Sequence, residues 1–482
     1  MKTAILQSNI KTAAALIITL FCASVYAQKE DTSVQFYTRK LDTINPIPQS
    51  IAAGGNFSLF VCANGTVTAS GINTSGQLGS GNNTNTILPV AVVGLTDIVA
   101  VAARDVFALF LKSDGTVWGT GGNSNGELGI GTTNAVNTPV QIPTLSGIVK
   151  ISTGFYHSLF LKNDGTVWAC GRNFSGELGN GNQVQQNIPV QVIGVSDVID
   201  IAAGDGHSMF LSSDGTVRSC GDNQDGALGL GNTWGVVNPT LVAITDVVAI
   251  AAGFRQSTFI KQDGTVWACG LNYYGKLGFG GTTSQTLPGQ VSNLIGIIAS
   301  AGGQYHNLFL KNDGTAWACG LNSSGQLGDG TNIDRPIPAQ VINVQNITGI
   351  AASGYYHSLL STSDNTFYAF GEGGGKLGIG NTATQLTPVL VVDNCAALGN
   401  ETIETSKFSV YPNPSDGLLN IKSDLIFENA IVKIIDLSGR SVLTKTDFNS
   451  AETINITTLE TGIYVMNLIS NGKTFSQKII KH

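Results

Sequence analysis

Apolar residues in this chain come in short alternating runs bounded by glycine and Asp-Gly or Asn-Gly steps, and the runs return every 49 or 50 residues. Four of them recur per unit, exemplified by Ile201 to Gly204, Ser158 to Leu161, Thr166 to Cys170 and Pro189 to Val192. β-Branched and aromatic residues dominate them, and no stretch between Ser50 and Val392 holds a helical period, so each run reads as a strand. Asn64-Gly65 and Asp214-Gly215 mark hairpins between the second and third strands, with both turn residues expected at positive φ. A Leu-Gly step anchors the register seven times, at Leu78, Leu128, Leu178, Leu228, Leu277, Leu327 and Leu377. A four-stranded unit cannot bury both faces alone, and seven stacked copies do. The pattern therefore predicts an all-β chain with a seven-bladed β-propeller over residues 49–393.

The two ends break the pattern. Lys2 and Lys11, the apolar run from Ala13 to Phe21 and the small-residue site Val25-Tyr26-Ala27 before Gln28 make residues 1–27 a secretory signal peptide. Phe21 stands where a lipoprotein signal carries a small residue, so Cys22 does not suggest lipidation. Residues 28–48 form an N-terminal extension. A linker at 394–404 leads to residues 405–482, where Val432-Lys433-Ile434 and Tyr464 to Leu468 alternate like half-buried strands of a separate small domain. No later segment is long and apolar enough to span a bilayer, so no transmembrane segment is expected.

Composition narrows the function classes. Charged residues are 12% of the chain against 60 glycines, and the net charge is −7. Nucleic acid or an anionic membrane would need clustered Lys and Arg, so no nucleic-acid partner is expected. Cys170, Cys220, Cys269 and Cys319 share one repeat position without a CxxC spacing, as small buried hydrophobes do.

The repeated Gly-x-x-His-Ser, Asp-Gly-x-Val-x-x-x-Gly and Asn-x-x-Gly-x-Leu-Gly-x-Gly motifs resemble those of the regulator of chromosome condensation family, a seven-bladed propeller fold. The resemblance covers about residues 49–393. In the tail, Tyr411-Pro412-Asn413-Pro414, Asp436 to Arg440 and Gly462-Ile463-Tyr464 resemble the type A C-terminal sorting domain of the type IX secretion system. That resemblance implies a small β-sandwich handled by the type IX secretion machinery, and hence a secreted or outer-membrane surface protein.

Catalytic motifs are weak throughout. Gly122 to Gly126 fits a nucleophile elbow without the strand-to-helix turn the elbow needs, and Gly373 to Gly378 fits GxGxxG without a βαβ unit. His157, His207, His306 and His357 share one position, which Phe57, Phe107 and Gln256 fill in other copies. One residue per blade suits structural hydrogen bonding better than a metal centre. No cofactor is expected. Asp205, Asp225 and Asp334 form no acid/base pair recognisable in sequence.

The copies differ most in the loops after the first and third strands, which alternating strand direction places on one face. Aromatic residues gather there: Phe155, Tyr156, Phe174, Trp234, Phe254 with Arg255, Tyr273, Tyr274, Tyr305, Tyr355 and Tyr356. Other copies carry Asn, Ser, Asp or Gly at these positions, which implies exposure, and exposed Tyr, Trp and Arg anchor binding surfaces. Rings folded back as lids over the blade tips are the alternative. The expectation is a non-enzymatic exported binder of an extracellular protein or glycan. An extracellular polysaccharide-acting enzyme is the rival, marked by two carboxylates in a cleft on this face. Guanine-nucleotide exchange ranks last, because near-constant repeat length leaves no inserted wedge.

Overall fold

The computed structural model describes residues 49–392, 395, 408–423, 430–436, 441–449, 452–470 and 473–482. The signal peptide, the N-terminal extension and Leu437 to Arg440 of the tail motif lie outside them, as does most of the linker. Contacts divide the chain into two compact units at 398/399.

The first unit is a ring of seven four-stranded antiparallel sheets, each built from consecutive strands in chain order. Blade 1 runs Ile51–Ala53, Phe57–Val61, Val67–Gly71 and Thr86–Ala91, from the axis outward. The second strand is buried at nearly every position, as in His157–Lys162, because blades cover both of its faces. Hydrophobic clusters accordingly bridge neighbours: Leu109, Val117 and Leu128 of blade 2 pack with Ile151, Phe160 and Cys170 of blade 3. The four repeat cysteines are free and buried, and burial pushes their thiols up.

The motifs have local physical causes. Asn173 Oδ1 accepts the Leu178 amide at 3.0 Å while its Nδ2 donates to the Asn182 and Val184 carbonyls, so one side chain laces the whole loop before the Leu-Gly step. A Cβ on Gly204 would sit 2.1 Å from the His207 ring, which explains Gly-x-x-His. The hairpin expectation needs correction. Only the glycine, as Gly115 at φ 78°, is left-handed; Gly115 N donates to Lys112 O, giving a type I turn with a following bulge. The aspartate takes ordinary backbone angles because its carboxylate instead accepts the Thr116 amide and hydroxyl.

Blade 7 keeps all four of its strands between Ile347 and Leu390, so the ring closes without strand exchange. Ile51, Ala53 and Phe60 of blade 1 pack on Leu359, Phe367 and Leu377 of blade 7. A disulfide joins Cys62 of blade 1 to Cys395, 333 residues later.

The second unit holds a three-stranded sheet (Phe408–Tyr411, Leu418–Ser423, Ile454–Asn455) and a four-stranded sheet of Ser441–Phe448, Ala430–Ile435, Gly462–Ser470 and Lys473–Lys481. Val410, Leu419 and Ile421 of the first share one core with Val432, Ile434, Met466 and Leu468 of the second, which makes it a small sandwich. No helix among the described residues is long and apolar enough to cross a membrane.

Candidate functional site

The loops after the first and third strands of each blade do share one end of the ring, and adjacent loops are stitched together there: Phe254 N donates to Gly303 O, Gln304 N to Ser353 O, and Gly55 N to Asp105 O. Five of the expected residues meet across blades 5 to 7. Tyr305 stands at the centre, with its ring centroid 5.7 Å from Tyr356 (stacked), 5.6 Å from Tyr274 (edge-on) and 6.3 Å from Phe254. Tyr355 extends the row at 6.4 Å from Tyr356. Its hydroxyl reaches Asp105 Oδ1 of blade 2 at 3.5 Å, and a Cβ on Gly55 would strike its ring. Blade 1 has no side chain in this loop position, and the tyrosine fills the space.

Phe155 and Tyr156 form a second group in blade 3, 4.6 Å apart. Arg172 lies over Tyr156 at 4.8 Å and pairs with the buried Glu177 at 2.7 Å. Phe174, Trp234 and Tyr273 join neither group; they are 66%, 77% and 58% exposed and stand on the outer loops. Most of the inner rings are half-buried, because each leans on its neighbour.

Arg255 does not present a free guanidinium. It lies over Phe254 at 5.4 Å, but Nη1 donates to Asp225 at 3.0 Å and Nε lies 3.9 Å from Asp222. Beneath the same ring Lys276, wholly buried, donates to the Phe254 and Gln304 carbonyls at 2.6 and 2.9 Å. Burial holds its ammonium well below the usual lysine range. The floor of the aromatic row is thus fixed by two basic side chains already bonded inside the protein.

Nearer the axis lie Arg104, which sequence reasoning did not single out, and the loop carboxylates Asp105 and Asp205. Arg104 stands where other blades carry Gly54, Gly154, Gly204, Gly253 or Gly303, and that mismatch was the available signal. It is 5% exposed, donates Nη1 to the Gly302 carbonyl at 3.1 Å across the ring, and burial lowers its affinity for its proton. Burial and the charge of Asp205 push the Asp105 carboxyl up to about 6. Burial raises Asp205 also, against the pull of Arg104, Arg172 and Arg255, and its Oδ1 has no hydrogen-bond partner among the described residues. The four histidines lie below this surface, each bonded to a hydroxyl of the next blade. Among the described residues no group of three metal-ligating side chains occurs.

Known proteins show the same architecture. The RCC1-like domain matches residues 27–296 and 145–407, and the secretion system C-terminal sorting domain matches 409–482. No curated protein matches the chain. Among solved structures, yeast RCC1 (Prp20), seen bound to Kap60, is 20% identical with a TM-score of 0.63, covering 77% of this chain and 89% of that one. Human WBSCR16 is 23% identical with a TM-score of 0.57, over 64% of this chain and 84% of that one. Prp20p from Saccharomyces cerevisiae, studied for its binding to Gsp1p and histones, is 25% identical with a TM-score of 0.55, over 63% and 80%.

Proposed function

The chain belongs to the RCC1-like family, carries a secretion sorting domain that makes it a secreted or cell-surface protein, and we propose that it acts outside the cell as a non-enzymatic binder of a protein or glycan. The aromatic row Phe254, Tyr305, Tyr356 and Tyr355, with Tyr274 edge-on against Tyr305, carries this reading. Rings that support one another lose little entropy when a partner covers them, and half-buried tyrosines offer an apolar face and a polar rim together. Tyr273, Trp234 and Phe174 extend the reach of the same surface as outer anchors. Phe155, Tyr156 and Arg255 serve as its framework, since Tyr156 and Arg255 are already engaged with charged neighbours.

A second reading, a polysaccharide hydrolase, draws on Asp105 and Asp205, whose charges oppose each other on this face. The Tyr355 hydroxyl already reaches Asp105 at 3.5 Å, which ties that carboxylate to the aromatic row and favours the binder. Immobilised full-length mature protein, exposed to culture medium of the native host and to a glycan panel, decides between them. A ligand retained by the native chain and released by Tyr305→Ala with Tyr274→Asn supports the binder. Polysaccharide cleavage abolished by Asp105→Asn overturns it.

A further inference from the structure

The loop face stops at Arg104, and beneath it the ring encloses an axial channel of about 770 Å³. That volume falls within the range of small-molecule sites. Alanine, serine and glycine of the seven innermost strands wall it, among them Ala202, Ala251, Ser300 and Ala351. At the hairpin end the mouth is rimmed by Val149, Ile199 and Ile298, which are 55%, 37% and 47% exposed. An exposed apolar rim leading into an alanine-rich tube disfavours water along that path.

Lys150, Asp200, Asp214 and Arg104 are the charged groups of the channel, and they are unequal: Asp214 stands at the hairpin end, where its carboxylate accepts the Thr216 amide and hydroxyl. Lys150 pairs with Asp200, and Asp200 also accepts the Ile201 and Ile250 amides, so that pair is satisfied within the wall. Arg104, at the loop end of the channel, is different. Its Nε has no acceptor, and among the described residues no carboxylate lies within ion-pairing distance of it. The cavity lining reaches Arg104 and Gly302 but includes neither Asp105 nor Asp205. Asp205 and Asp105 act on Arg104 only from beyond ion-pairing distance; a buried guanidinium with no carboxylate in contact is costly, and a carboxylate arriving along the channel relieves that cost through the planar fork Arg offers.

We infer that the axial channel is a binding site for a long-chain fatty acid, with the carboxylate on Arg104 and the acyl chain lying along the alanine-lined tube toward the apolar mouth. Six-residue innermost strands such as Val198–Ala203 span about 20 Å, room for an extended chain. This site is separate from the aromatic face and opens on the opposite end of the ring.

Calorimetric titration of the delipidated mature protein tests it, with laurate as ligand and dodecanol as the uncharged molecule of the same tail. Saturable laurate binding at one site is expected. Arg104→Gln should weaken laurate by about tenfold or more, the loss of a charged hydrogen-bond pair, while leaving dodecanol within about twofold. Ile199→Glu, at an exposed rim position, should weaken both. Absence of laurate binding to the native chain, or equal laurate affinity in Arg104→Gln, overturns the inference. If Arg104→Gln does not melt cooperatively, competition on the native chain decides: laurate must displace dodecanol with an affinity about tenfold higher, and equal affinities overturn the role of Arg104.

Discussion

His357 Nε2 of the last blade lies 3.0 Å from Ser58 Oγ of the first, 299 residues earlier in the chain. Ser58 Oγ spends its hydrogen on the Lys376 carbonyl at 2.6 Å, so the histidine must be the donor and its Nδ1 carries no proton. The same arrangement joins His157 to Ser208, His207 to Ser257 and His306 to Ser358. Blade 5 uses Gln256 donating to Asn307 Oδ1 at 2.7 Å. These links bolt each of blades 3 to 7 to the next, and the one at His357 closes the circle onto blade 1; Phe57 and Phe107 leave blades 1 and 2 without one.

Acid should therefore loosen the ring. Burial holds His157, His207 and His306 down to about 3, and His357 is also lowered well below the usual histidine value. A histidine with a depressed folded value stabilises fully above about 6.5, and the contribution is lost as pH falls from there toward 3. Each costs on the order of 1 kcal/mol per pH unit in that window. The carboxyls that burial raises, Asp105 to about 6 with Asp205 and Glu127 shifted the same way, act oppositely and offset part of that loss. Denaturant unfolding at pH 7 and pH 5 should show a fall of several kcal/mol. His207→Gln, copying Gln256, should flatten that pH dependence while keeping the link. An unchanged slope would mean the imidazole is not the acid-sensitive group.

The Cys62–Cys395 bridge ties the first blade to the chain segment following the seventh, so it holds the ring shut from outside the sheets. Cys395→Ser should lower unfolding stability by about 2–4 kcal/mol. Non-reducing gels and thermal melts with and without reductant check this. Reductant should have no further effect on the variant.

Tyr273 is exposed, while Tyr274 sits at φ 61° against Tyr305. Replacing them by Ser and Asn, the latter tolerant of left-handed backbone, should alter stability by about 0.5 kcal/mol or less. Partner affinity should drop by about 2 kcal/mol if they are anchors. A large loss of stability with binding unchanged would make them blade lids, and thermal melts paired with titration distinguish the two.

Removal of residues 401–482 deletes the sorting domain and should leave a folded propeller in the periplasm of the native host. Cell fractionation and a melt of the truncated chain test both halves of the statement. Truncated protein in the medium would refute the sorting role, and a molten truncated chain would show that the propeller needs the tail.

Much of this was legible in the sequence because repetition amplifies weak signals. Seven Leu-Gly steps and seven sets of short alternating runs fixed the blade count, since each motif residue meets the same neighbour in every copy. The common face of the variable loops followed from strand alternation alone. Hairpin geometry was misjudged because Asp-Gly permits two turn types, and only the carboxylate's bond to the following threonine selects between them.

What depended on closing the ring was not legible. Partners such as Cys62 and Cys395, His357 and Ser58, or Tyr355 and Asp105 lie 250 or more residues apart, and no periodicity specifies which distant residues meet when the last blade docks on the first. The sequence determined the repeating unit, its number and its address, because those rest on local patterning and terminal signals. Tertiary structure alone decided which rings stack, that Arg255 is already paired, and that Arg104 reaches across the ring to Gly302, because those depend on distances between blades that the chain does not encode locally.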